Sequence, residues 1–264
     1  MSADEKIAAH AGAGLMPLRE YTSARLSLGR MGAAVSTREQ LRFQLDHALA
    51  RDAVHAVLDV TAISQGLKEL GLEAFVLRSA ADVQTGHSNR QVYLRRPDLG
   101  RRLHADFRQA LVDDAEAASE KPDVVFVIAD GLSALAVERH ALPLLEEVLQ
   151  RIDRERVVVG PVCVVTQARV AIGDEIGQLL GAKMVVLMIG ERPGLSSPDS
   201  LGVYLTWEPK VGRSDAERNC VSNVRDEGLG YVEAAERILG LMDGAKKLGA
   251  TGVGLKDGDG VRLL

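Results

Sequence analysis

The hydrophobic positions of this chain change period along its length, and the changes predict its elements. Residues 37–58 (TREQLRFQLDHALARDAVHAVL) place Leu41, Leu45, Leu49 and Val54 about one helical turn apart. Thr37 precedes this stripe, with Gln40 three residues on, which predicts a helix with Thr37 as N-cap and a capping-box partner. A second helix is expected at Val60–Leu70, with Gly71 placed to end it. The pattern then shortens. Ala74–Leu77 predicts a strand, residues 80–91 a polar loop, and Val92–Leu94 another short strand. Pro97-Asp98 is expected to open a helix carrying Leu99, Leu103, Phe107 and Leu111 at i, i+4 spacing.

From residue 123 the apolar residues run together. Asp123–Ala129 (DVVFVIA), Val157–Val165 and Met184–Ile189 read as strands covered on both faces, and Leu201–Thr206 as a fourth. Helical stretches at 133–153, with Ser133 as cap, at 173–181 and at 232–248 separate or follow them. Strands alternating with helices of this length indicate βαβ units and a parallel sheet. The expected organisation is an α/β protein: a flexible tail at 1–17, a helical N-terminal part at 18–72 and a Rossmann-like parallel-sheet domain at 73–264, with a Gly-rich, irregular end from 249. In such sheets ligands sit outside the carboxyl ends of the strands. That directs attention to Asp130-Gly131, Gln167–Val170, Gly190–Gly194 and a loop spanning Asp215–Asn223.

Composition narrows the chemistry. Lys+Arg 32 against Asp+Glu 37 gives a net charge of −5, which argues against a general nucleic-acid binder. Aromatics at 3% leave few stacking platforms for single strands and require an aliphatic core. Two cysteines, Cys163 and Cys220, support neither a disulfide framework nor a four-Cys zinc site. The N-terminal sequence lacks the basic start and apolar run of a signal peptide, and no apolar run is long enough to span a bilayer, so a cytoplasmic protein is expected.

Several catalytic signatures are absent. There is no phosphate-binding G-x-x-x-x-G-K-[ST], no G-x-G-x-x-G after a strand, no H-E-x-x-H, no C-x-x-C and no G-x-S-x-G elbow. Without the glycine fingerprint, a nucleotide-dependent oxidoreductase is disfavoured. His47 and His55, eight apart on one predicted helix, read as ordinary helix histidines rather than a metal pair. The arginines at 95, 96, 101, 102 and 108 fit a solvated helix start with local ion pairs, or an anionic partner. Glu191 lies in G-E-R-P-G, a tight turn where backbone can approach a ligand and where Arg192 could pair with it. Cys220, in a polar stretch with no adjacent His, reads as a small buried apolar residue rather than a nucleophile. Cys163 reads as core.

Four longer stretches go beyond a generic α/β pattern. They are YLRRPDLGRRL (93–103), DVVFVIADGLSAL (123–135), GDEIGQLLGAKMVVLMIGERPGLSSPDSL (173–201) and DAERNCVSN (215–223). In this order they resemble the small (light) subunits of ethanolamine ammonia-lyases, over about residues 18–250. The resemblance implies an adenosylcobalamin-dependent conversion of ethanolamine to acetaldehyde and ammonia. It implies a large-subunit partner, a TIM barrel that carries the radical chemistry, in a complex of six large and six small chains. Cobalamin would lie between the two subunits, with Val170 (in QARVAI), Glu191 (in GERPG) and Cys220 (in ERNCVSN) as its contacts from this chain. None of the six histidines stands in the Asp-x-His-x-x-Gly pattern that replaces the lower base of cobalamin, so base-on binding with no His ligand from this chain is implied. Packaging into a bacterial microcompartment is a further implication for some such enzymes. A standalone α/β ligand-binding or regulatory module is the alternative reading.

Overall fold

The computed structural model describes residues 30–31, 34–82 and 88–256, so the expected tail at 1–17 and the extreme C-terminus lie outside the described residues. Two-residue strands β1 (Arg30–Met31) and β2 (Ala34–Val35) form a small antiparallel pair. Helix α1 (Thr37–His55) follows. Its N-cap is Ser36, whose hydroxyl accepts from the Glu39 amide, so Thr37 is the first helical residue rather than the cap. The leucine stripe does not face a core. Leu41, Leu45 and Leu49 are 60%, 58% and 49% exposed, and α1 is covered instead at Ala50 and Ala53. Helix α2 (Val60–Glu69) is capped by Asp59 and ends before Gly71, which takes a left-handed φ of 72°. Its Ile63 and Leu67 pack into the same core as the sheet.

Six strands make the main sheet, in the order β3-β5-β4-β6-β7-β8. They are β3 (Ala74–Arg78), β4 (Val124–Ala129), β5 (Val162–Thr166), β6 (Met184–Gly190), β7 (Leu201–Trp207) and β8 (Asn219–Val224). The first four in that order are parallel; β7 and β8 are antiparallel to their neighbours. The fourth predicted strand is therefore real but reversed. Only ten residues, 191–200, join β6 to β7, too short for the crossover that a parallel return needs. The 215–223 segment is mostly strand β8 rather than loop.

Along β4 the side chains alternate between two cores. Val124, Phe126 and Ile128 pack with α2, α5 (Ala134–Leu149) and α7 (Tyr231–Leu248) on one face. Val125, Val127 and Ala129 pack with α4 (Arg108–Ala117) and α6 (Ile172–Leu179) on the other. This double cover is why β4, β5 and β6 read as unbroken apolar runs. Ser133 caps α5 as expected, its hydroxyl accepting from Ala136 N.

Two local expectations give way to side-chain packing. Val92–Leu94 is not a strand; it lies in helix α3 (Ser88–Arg95), where Tyr93 is fully buried. The single helix expected from Pro97 is two short 3₁₀ turns, Leu99–Arg101 and Ala105–Phe107, before α4 begins at Arg108. Leu103 between them is drawn into a bridge with Ser79, and its amide donates to Glu175 Oε2, which breaks the helical register. The strand expected from Val157 starts at Val162, preceded by an isolated bridge between Val159 and Val124.

Candidate functional site

The site follows from the winding of the sheet. After β4 the chain passes to α5 on one face; after β5 it passes to α6 on the other and returns as β6 on the far side of β4. The loops at the carboxyl ends of β4, β5 and β6 thus part from one another, leaving the crevice expected at a topological switch point. A cleft of about 400 Å³ opens there, lined by Gly131 and Leu132 after β4, Arg169 and Val170 after β5, Ile189–Arg192 at the end of β6, and Tyr93 and Tyr204.

Glycines allow the floor to form. Gly131 has φ 55°, and a Cβ there would fall 2.2 Å from the Gly190 carbonyl oxygen. A Cβ on Gly190 would fall 2.0 Å from the Ser133 carbonyl oxygen. The Leu132 amide donates to the Gly190 carbonyl at 2.9 Å, so β4 and β6 end backbone against backbone.

Beneath the β5 loop lies a buried polar knot. Asp130 accepts from the amides of Gln167 (2.9 Å) and Ala168 (3.0 Å) and pairs with Arg90 at 3.2 Å. Burial pushes the Asp130 carboxyl up, and Arg90 with the two amides opposes this. These bonds hold Gln167 in a left-handed conformation, φ 55°, which turns the chain so that Arg169 and Val170 reach the cleft. The Tyr93 hydroxyl donates to the Ala168 carbonyl at 2.8 Å and ties α3 to the same loop.

Glu191 continues from β6, its amide donating to the Ser200 carbonyl at 2.9 Å. Its carboxylate accepts from the Ser200 hydroxyl and, at 3.4 Å, from the Asn223 amide at the end of β8. Its carboxylate partners are these two groups and not Arg192, which is exposed. Cys220 sits on β8 opposite Tyr204 of β7. It is exposed rather than buried, correcting the expectation of a small core residue. Desolvation against its neighbours pushes the Cys220 thiol up, and Glu191 adds to the shift while Tyr204 opposes it. The thiol form, a poor nucleophile, prevails at neutral pH. Cys163, by contrast, is fully buried in β5. The structure therefore brings Val170 and Glu191 into one cleft, and places Cys220 next to a third lining residue, Tyr204.

Arg90, Tyr93, Arg169 and Tyr204 complete the surroundings and were not singled out from sequence. In a chain with four tyrosines, two converging on the strand ends is the signal that was available. A second anchor lies behind β8. Arg218 forks onto Asp174 of α6 at 2.5 and 2.6 Å, both side chains buried, and also donates to Thr206 at 2.9 Å. Arg108 joins Glu175 at 2.7 Å and Arg96 joins Asp98, so part of the arginine group pairs within the chain. Among the described residues, no histidine lines the cleft and no cluster of three metal-ligating side chains exists.

The family described as Ethanolamine ammonia-lyase light chain (EutC) matches residues 13–256. The chain belongs to that family. It is 53% identical over 249 residues to the ethanolamine ammonia-lyase small subunit of Pseudomonas aeruginosa, covering 94% of this chain and 89% of the relative. The small subunit of Pseudomonas syringae pv. tomato is 54% identical over 242 residues, 92% of this chain and 82% of that protein. That of Azotobacter vinelandii is 52% identical over 240 residues, with 91% and 87% covered. The ethanolamine ammonia-lyase light-chain family thus spans the cleft, α1 and the whole six-stranded sheet.

Proposed function

We propose that this chain is the small subunit of an adenosylcobalamin-dependent lyase that converts ethanolamine to acetaldehyde and ammonia, and that its switch-point cleft forms one half of the cofactor site. The observation that carries the reading is the convergence of Val170 and Glu191 on the cleft at the carboxyl ends of β4–β6, with Cys220 on β8 beside Tyr204, another cleft residue. Bound adenosylcobalamin would supply a weak cobalt–carbon bond as the radical source.

The residues present suit such a group. Gly131 and Gly190 let the ends of β4 and β6 close backbone against backbone, and that joint forms the floor of the cleft. The Glu191 carboxylate, steadied by Ser200 and Asn223, can accept from corrin amide N–H groups. Val170 supplies apolar contact, and Cys220, a neutral thiol, packs beside the group without attacking it. A cleft of about 400 Å³ encloses only part of so large a ligand, so a second subunit must complete the site. The outward leucines of α1 add to this: an apolar stripe on a charged chain fits burial against a large-subunit partner. No described helix is long and apolar enough to cross a membrane, and we place the complex in the cytoplasm, with microcompartment packaging open to test by fractionation.

The test is co-expression with a large subunit, addition of adenosylcobalamin, and an assay of acetaldehyde, with each chain alone as control. Activity from the pair only supports the reading. A well-behaved chain that ignores both partner and cofactor supports a standalone binding module instead. Within the active pair, Glu191→Ala should raise the apparent cobalamin Kd with little change in kcat at saturation; unchanged affinity removes Glu191 from the site.

A further inference from the structure

Two guanidinium groups sandwich Tyr93: Arg90 at 4.7 Å and Arg169 at 4.3 Å from the ring centroid. They are not equivalent. Arg90 is engaged by three acceptors, its Nε donating to the Val54 carbonyl at 2.7 Å and its Nη1 reaching Asp130 and Gln167 at 3.2 and 3.3 Å, and its Nη2 alone has no partner among the described residues. Arg169 is held but unused. Its amide donates to the Gly100 carbonyl at 2.8 Å. Gly100 lies so close that a Cβ there would fall 2.9 Å from Arg169 Cγ. The Arg169 ring contact fixes the guanidinium plane as well. Yet Nε of Arg169 is buried with no hydrogen-bond partner, and its side chain forms no hydrogen bond or ion pair with any described residue. The carboxylates close to it are committed: Asp130 to Arg90, and Glu191 to Ser200 and Asn223.

A half-buried cation kept without an anion is costly unless a ligand supplies one. Arg169 lines the cleft beside Val170 and Glu191. We infer that Arg169 is a cofactor-binding residue that holds the anionic phosphodiester of cobalamin's nucleotide arm, the amides of the corrin rim being left to Glu191. The planar fork of arginine matches two phosphate oxygens, whereas a neutral amide would leave the charge uncompensated. This inference rests on the cobalamin reading above.

The experiment uses the assembled complex with the large subunit, titrated with hydroxocobalamin and with cobinamide, which lacks the phosphate and base, and followed by corrinoid absorbance. The wild-type complex should bind cobinamide more weakly than hydroxocobalamin. Arg169→Met should weaken hydroxocobalamin about tenfold or more, as expected for loss of a charge-assisted contact, and cobinamide by less than about twofold, closing the gap. Arg169→Lys should fall between, keeping the charge but losing the fork. The cofactor-free Arg169→Met complex should melt no lower than wild type, which a purely structural arginine would not allow. Wild-type affinity of Arg169→Met for hydroxocobalamin, or equal losses on both corrinoids, overturns the inference while leaving the cofactor reading intact. A wild-type complex that binds neither corrinoid overturns both.

Discussion

The two halves of the sheet are built on different principles. In the parallel half, β4 and β6 are apolar and buried at every position. In the antiparallel half, β8 (NCVSNV) buries only Val221 and Val224, and its start is anchored by an ion pair, Arg218 with Asp174. The first half is held by the hydrophobic effect, through the shape and volume of its side chains rather than through directional contacts. The second is held by directional polar contacts, and it carries the groups that face outward: Cys220, and Asn223 against Glu191. An edge strand that must present polar groups at a site cannot rely on apolar cover. Polar bonds behind it fix the strand while leaving its front free.

Substitutions should separate the two. The largest effect is expected for Phe126→Ala in β4, which opens a cavity in the main core and should cost about 3–5 kcal/mol of global stability by chemical denaturation. Arg218→Ala should cost about 3 kcal/mol, since it leaves Asp174 buried without its cation. Its signature differs: hydrogen exchange should speed up first in β8 and the 215–217 turn, whereas Phe126→Ala should speed it throughout the sheet. Uniform acceleration in both variants would erase the distinction.

The smallest effect concerns Glu217, in the turn before β8. Its carboxylate accepts from the Ser214 amide and hydroxyl, and Arg213 pairs with it. The Ser214 amide first, then Arg213, lower its pKa from 4.5 to about 2. Because the folded value lies below the unfolded one, the stabilisation is fully present above about pH 4.5 and is lost as pH falls through about 2. Carboxyl NMR titration of the 215–224 region should show this late protonation, absent in Glu217→Gln.

Legibility followed the same divide. The strands β4, β5 and β6, the Ser133 cap and the Gly71 stop stood in the sequence because continuous apolar runs and cap residues have one local meaning. The reversal of β7 was readable in principle from the ten-residue link before it. Strand β8 was not, since its polar letters are those of a loop and only pairing with β7 makes it a strand. The three letters around Tyr93 resembled a strand, but the ring's place between Arg90 and Arg169 is a tertiary fact. The loops holding Val170 and Glu191 were found from the rule of strand ends, and the individual residues from family resemblance. The outward leucines of α1 obeyed helical period yet face away from this chain's core, as a partner-facing helix would.

The central claim is that the cleft over Gly131 and Gly190 is one side of a cobalamin site shared with a large subunit. A structure of the assembled complex with hydroxocobalamin tests it most directly. The account predicts the corrin lying across that floor, in contact with Val170 and within hydrogen-bond reach of Glu191. A corrin held wholly by the large subunit, with this cleft open to solvent, would contradict it.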